Sequence, residues 1–100
     1  MHIEILEEAQ DDIFRGVLFY ESQQYGIGEY FLDGISTDIE SLHLYAGIHS
    51  VKFGFHALYS KRFPYTIYYK IEDDTIWVYA VLDERQRPDT IKERLNITVQ

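Results

Sequence analysis

Four histidines, nine tyrosines and nine Lys/Arg are the residues of this 100-residue chain that could do chemistry. His2, His43, His49 and His56 show no HxH or HxxxH spacing, and cysteine is absent, so neither a metal-ligand pattern nor a thiolate nucleophile emerges. No metal and no cofactor is expected. Gly26-Ile27-Gly28 lacks the third glycine of a phosphate cradle and does not follow a strand. Two basic pieces remain. Lys61-Arg62 stands just before Phe63-Pro64-Tyr65, and Arg85 and Arg87 follow the most apolar run of the chain. Arginine holds phosphate or carboxylate through paired donors. These four residues are therefore expected either to contact a phosphate or target, or to solvate strand ends and pair with Asp83, Glu84 and Asp89. Tyr59, Tyr65, Tyr68, Tyr69 and Tyr79 cluster in the second half. They fit half-buried strands, and they also offer a stacking surface for a partner or a base.

The elements that must position these residues are legible from periodicity. Ile3 and Ile5 alternate with polar neighbours, which predicts a strand over His2–Leu6. Ile13, Val17 and Tyr20 recur at helical spacing, with Phe14 and Leu18 widening the stripe, in a helix from Glu8 or Asp11 to Gln24. Glu7, Glu8, Asp11 and Asp12 crowd its N-terminal end, where the helix dipole favours negative charge. Gly26 and Gly28 break it. Phe31, Ile35, Ile39 and Leu42 mark a second helix from Gly28 to Leu44, in which Gly34 either permits a close helix–helix approach or weakens the boundary. So short a turn predicts an antiparallel helical hairpin.

Ala46–Gly54 reads as a loop, and then the period changes to two. Strands are expected over Phe55–Ser60, Tyr65–Ile71 and Ile76–Leu82, the last central and well buried. Glu72-Asp73-Asp74-Thr75 is a hairpin turn between the last two. Pro88 suits the first turn of a short helix carrying Ile91 and Leu95. The tail Asn96–Gln100 frays or adds a short strand. The order predicts one α+β domain over residues 1–100, with a helical hairpin on a mainly antiparallel sheet. Ile3, Ile13, Val17, Ile35, Ile39, Ile67, Ile76, Val78 and Ala80 are expected in one core.

Charge is divided unevenly. The net charge is −8 with pI ≈ 4.8, which discourages nucleic-acid binding by the chain as a whole. Residues 1–50 carry ten acids against Arg15 alone, a net −9; residues 51–100 carry eight Lys/Arg against seven acids, a net +1. This reads as a solubilising half or as two faces with different partners. No apolar run approaches a membrane span, and MHIEILEEAQ lacks the features of a signal peptide, so a cytoplasmic protein is expected.

Taken together, the chain resembles the RelE/ParE superfamily of type II toxin–antitoxin toxins, the plasmid-stabilisation type. The resemblance rests on Asp12-Ile13 and Phe19-Tyr20-Glu21 in the first helix and on Gly26-Ile-Gly28-Glu-Tyr-Phe31 opening the second. It continues in Phe63-Pro64-Tyr65-Thr-Ile67-Tyr-Tyr69 and in Ile76-Trp-Val78-Tyr-Ala80-Val-Leu82 with its exit Asp83-Glu-Arg85-Gln-Arg87-Pro88. It implies a protein wrapped by a cognate antitoxin in a hetero-oligomer. The RNA-cleaving branch acts on ribosome-bound message and commonly ends with a histidine or tyrosine, which Asp83–Gln100 lacks. The family that the chain resembles often carries an arginine in the strand before the Phe63-Pro64-Tyr65 motif; here that stretch reads Phe55-His-Ala-Leu-Tyr59, and His56 is the closest polar candidate. His56 and Tyr68 are the candidate catalytic residues, and Lys61, Arg62, Arg85 and Arg87 the target or phosphate contacts. A complete acid–base pair does not carry over. The resemblance thus favours a ParE-like toxin directed at a target such as DNA gyrase, or a member whose toxicity has decayed. A ribosome-dependent endoribonuclease is the alternative.

Overall fold

A broken alternation in the last strand explains the architecture. The computed structural model describes residues 1–99, with side chains through Asn96. Its elements are β1 (His2–Ile5), α1 (Glu7–Gln23), α2 (Ile27–Glu40), α3 (Leu42–Tyr45), β2 (Val51–Lys52), β3 (Phe55–Tyr59), β4 (Tyr65–Glu72), β5 (Thr75–Asp83) and α4 (Pro88–Val99). The strands form one sheet in the order β1-β5-β4-β3-β2, antiparallel except for the parallel pair β1–β5. Tyr68 pairs with Ala80 and Tyr69 with Val78, so Tyr79 is an extra, bulged residue in β5. Before the bulge Ile76 and Val78 face the helical hairpin; after it Val81 does, and Ala80 and Leu82 face the other way.

Two cores result, not the single one expected. Ala9, Phe31, Ile35, Ile39 and Leu42 pack on Tyr65, Ile67, Tyr69, Ile76, Val78 and Val81, with Ile3, Ile13 and Val17 partly buried beside them. On the opposite face Ile91 and Leu95 of α4 cover Phe55, Ala57, Tyr68, Ala80 and Leu82. Ala80 belongs to this second core because the bulge reverses its direction.

The hairpin is locked by its own sequence. Gly26 adopts φ 90°, which disfavours any residue with a Cβ. The Glu21 carboxylate accepts from the backbone N–H of Gly26 (3.0 Å) and of Gly28 (2.9 Å), capping α2 from the preceding helix. Bare Gly16 lets the Phe31 ring press onto the α1 backbone, since a Cβ there would stand 2.5 Å from the ring.

Three local expectations change. The long second helix breaks at Ser41, whose hydroxyl donates to the Asp38 carbonyl at 2.6 Å, and α3 follows. The expected loop contains β2, joined to β3 by Phe53 and Gly54, both at positive φ (56° and 85°). A phenylalanine in that position hides the turn, because Asn or Gly is its usual signal. The tail is helical through Val99, and Gln100 lies outside the described residues. Among the described residues no helix is long and apolar enough to cross a membrane.

Candidate functional site

Antiparallel pairing of Tyr65 with Asp83 brings the β3–β4 and β5–α4 loops to the same end of the sheet, where the Glu84 amide donates to the Pro64 carbonyl at 2.8 Å. Lys61, Arg62, Arg85 and Arg87 therefore share one end, although sequence alone leaves them apart. They are not equivalent. Arg85 grips Asp83 through Nε (3.0 Å) and Nη2 (2.7 Å), and this pair holds the Asp83 carboxyl below its usual range. Arg62 lays its guanidinium 4.4 Å from the Tyr30 ring centre, and its stem crosses bare Gly34. The gap at Gly34 thus admits a side chain, not a second helix. Lys61 and Arg87 are exposed and make no ion pair among the described residues.

The Phe63-Pro64-Tyr65 motif is structural at this end. Phe63 packs 4.5 Å from Tyr20 and 5.1 Å from Phe31 between ring centres, and Tyr65 lies 4.9 Å from Phe31. Burial pushes the Tyr65 phenol up to about 12 and raises that of Tyr20, which Arg85 opposes. These rings tie the loop to the hairpin.

Asp12 joins the two cores. β1 pairs only with Thr75–Val78, leaving the later half of β5 without a strand on that side. Asp12, its side chain only 2% exposed, fills this role: Oδ2 accepts from the Val81 amide (3.0 Å) and from Arg94 of α4 (2.8 Å), and Oδ1 from Arg15 (2.8 Å). Burial holds its carboxyl above the ordinary range, against the pull of the Val81 amide, Arg94 and Arg15. Asp12 is thus not one of the acids at the helix dipole. The signal was present: it sits on the inward face between Ala9 and Gly16. A cleft of about 440 Å³ opens here, lined by Asp12, Arg15, Phe19, Leu82, Asp83 and Arg94.

His56 and Tyr68 do not meet. They occupy neighbouring positions on paired strands, where successive side chains point to opposite faces. Tyr68 is fully buried beneath α4, whereas His56 stacks on Tyr69 on the hairpin side, 5.0 Å between ring centres. His56 Nδ1 donates to the His49 carbonyl at 2.8 Å. The Tyr69 hydroxyl accepts from the Gly47 amide at 2.9 Å and bonds His49 Nδ1. Burial, followed by the charge of His56, lowers the pKa of His49, so the neutral ring accepts from Tyr69. This His49–Tyr69–His56 cluster was invisible in the sequence, because the three residues come from a loop and two strands. Among the described residues no group of three or more His, Cys, Asp or Glu side chains is placed to hold a metal.

A helical hairpin on a five-stranded, mostly antiparallel sheet, closed behind by a C-terminal helix, is a RelE/ParE-like fold. A solved structure described as the chromosomal ParDE toxin–antitoxin system from P. aeruginosa contains a similar chain, with TM-score 0.73 and 16% identity over 81% of this chain and 92% of that one. No protein-family model and no curated protein matches the sequence.

Proposed function

We propose that the chain is the toxin of a type II toxin–antitoxin pair, acting by binding an essential target and silenced by a protein antitoxin. The observation that carries this reading is the fold shared with a chain of the ParDE system over 81% of this sequence. Binding is favoured over RNA cleavage because His56 and Tyr68 lie on opposite sheet faces. General acid and base groups act within hydrogen-bond reach of the same substrate atoms. The target contacts are Lys61 and Arg87, with Arg62 and Arg85 shaping that end, and DNA gyrase is the target the family resemblance suggests.

The test is to induce the chain alone, then with its neighbouring gene. Growth arrest relieved by the neighbour, with plasmid supercoiling failing before protein synthesis, is the expected result. A toxin that has decayed gives no arrest but still forms the complex. One observation speaks for the endoribonuclease alternative: His56 Nδ1 is engaged by the His49 carbonyl, and Nε2 is not used in that bond. Cleavage of ribosome-bound message, abolished by His56→Ala, establishes that alternative instead.

A further inference from the structure

The outward stripe of α1 reads Glu7, Asp11, Phe14, Leu18, residues three and four apart that share one helix face. Phe14 is 61% exposed and Leu18 54%, so two large apolar side chains stand in water one turn from one another. Scattered single apolar residues need no explanation, but a pair at helical spacing on an unpartnered face does. The exposed charge of the hairpin is one-sided. Glu7, Glu8 and Asp11 on α1 and Glu29 and Asp33 on α2 are all exposed, with no ion pair among the described residues. Arg15, the only Lys or Arg of the hairpin, is bound to Asp12. Arg62, which reaches the hairpin from the β3–β4 loop, lies on Tyr30 of α2.

We propose that this face of α1 docks a cationic amphipathic helix of a protein partner, its apolar stripe on Phe14 and Leu18 and its Lys/Arg flanks on Glu7 and Asp11. The field decides among occupants. A second copy would bring two surfaces of like charge together, each from a half carrying net −9. An anionic bilayer is repelled by the same field. An amphipathic helix with basic flanks covers the apolar pair and neutralises the acids at once. If the partner is the antitoxin, this deepens the reading given above: the antitoxin's helix on α1 is basic, and its segment near Lys61 and Arg87 is acidic.

The experiment uses the full chain and two synthetic 18-residue helical peptides with the same leucine stripe, one flanked by lysines and one by glutamates. Binding is measured by fluorescence anisotropy at low and moderate salt. The lysine peptide is expected to bind at least about tenfold tighter than the glutamate peptide and to weaken about tenfold as salt rises. Phe14→Ser/Leu18→Ser should abolish binding, and Glu7→Lys/Asp11→Lys should weaken it about tenfold or more, each shown by circular dichroism to be folded. Glu72→Lys/Glu93→Lys makes the same change in net charge elsewhere and should bind nearly as the native chain does. Equal affinity for the two peptides overturns the proposal, as does equal weakening by the two charge reversals. A neutralising partner whose complex ignores Glu7→Lys/Asp11→Lys overturns it while leaving the antitoxin reading intact. Site-specific peptide binding without any neutralising partner does the reverse.

Discussion

The two faces of the sheet are covered by very different means. On one side a hairpin of 17- and 14-residue helices seals Tyr65, Ile67, Tyr69, Ile76, Val78 and Val81. Its turn is capped by Glu21, and its aromatic end interlocks with the β3–β4 loop through Phe63. On the other side a single 12-residue helix lies over Tyr68, Ala80 and Leu82 with Ile91 and Leu95 as its buried apolar anchors. Its side-chain tie across to α1 is Arg94 on Asp12. The difference is one of redundancy. Among the described residues the hairpin face is held by many mutually packed groups, and the α4 face by fewer. The face that opens at lower cost is therefore the one behind α4.

The largest effect should come from emptying the hairpin core. Phe31→Ala removes a fully buried ring that contacts Tyr20, Phe63 and Tyr65, and should cost about 3–5 kcal/mol by urea unfolding. A smaller loss would show that this face is no better packed than the other. Asp12→Ala strands the buried Val81 amide and removes the Arg94 contact to α1, and should cost about 3 kcal/mol while exposing the α4 face to dye binding. Leu95→Ala should cost about 2 kcal/mol and accelerate amide exchange in α4 before β4. Equal protection of α4 and β4 amides in the native chain would erase the contrast between the faces.

Titration should sharpen the comparison further. Tyr65 keeps its proton in the folded state to about pH 12, above the phenol of an unfolded chain. Stability it contributes is complete below pH 10 and is lost as pH rises through 12, and Tyr65→Phe should remove that portion of the alkaline transition. His49 has a lowered folded pKa, so the unfolded chain takes up its proton first. Its contribution is complete above pH 6.5 and declines as pH falls below that value, and His49→Gln should flatten this acidic slope. This is the smallest of the effects, read from unfolding midpoints at pH 7.5 and 5.5.

Element type and order were legible because each rests on neighbours in sequence. Helical spacing in Ile13, Val17 and Tyr20, and alternation in Tyr65–Ile71, report burial of a local face. The α+β architecture, a helical hairpin on a mainly antiparallel sheet, followed from that order. The candidate site was legible only in part. Lys61, Arg62, Arg85 and Arg87 could be picked out as cations by type, but which of them are paired could not. Arg85 is consumed by Asp83 and Arg62 by Tyr30, and both outcomes depend on side chains meeting in three dimensions.

By itself, then, the sequence determined most of the helices and strands, the Asp73-Asp74 turn and the division of charge between the halves, since composition and short-range periodicity are local quantities. Only the tertiary structure decided that His56 and Tyr68 stand on opposite faces, that Asp12 serves as a missing strand beside Val81, and that Ala80 belongs to a second core. The physical reasons are the β3–β4 register, which sets His56 against Tyr69, the short reach of β1, which leaves Val81 to Asp12, and the one-residue bulge at Tyr79, which turns Ala80. Each depends on pairing between residues far apart in the chain, and in a sheet a shift of one residue moves a side chain to the other side.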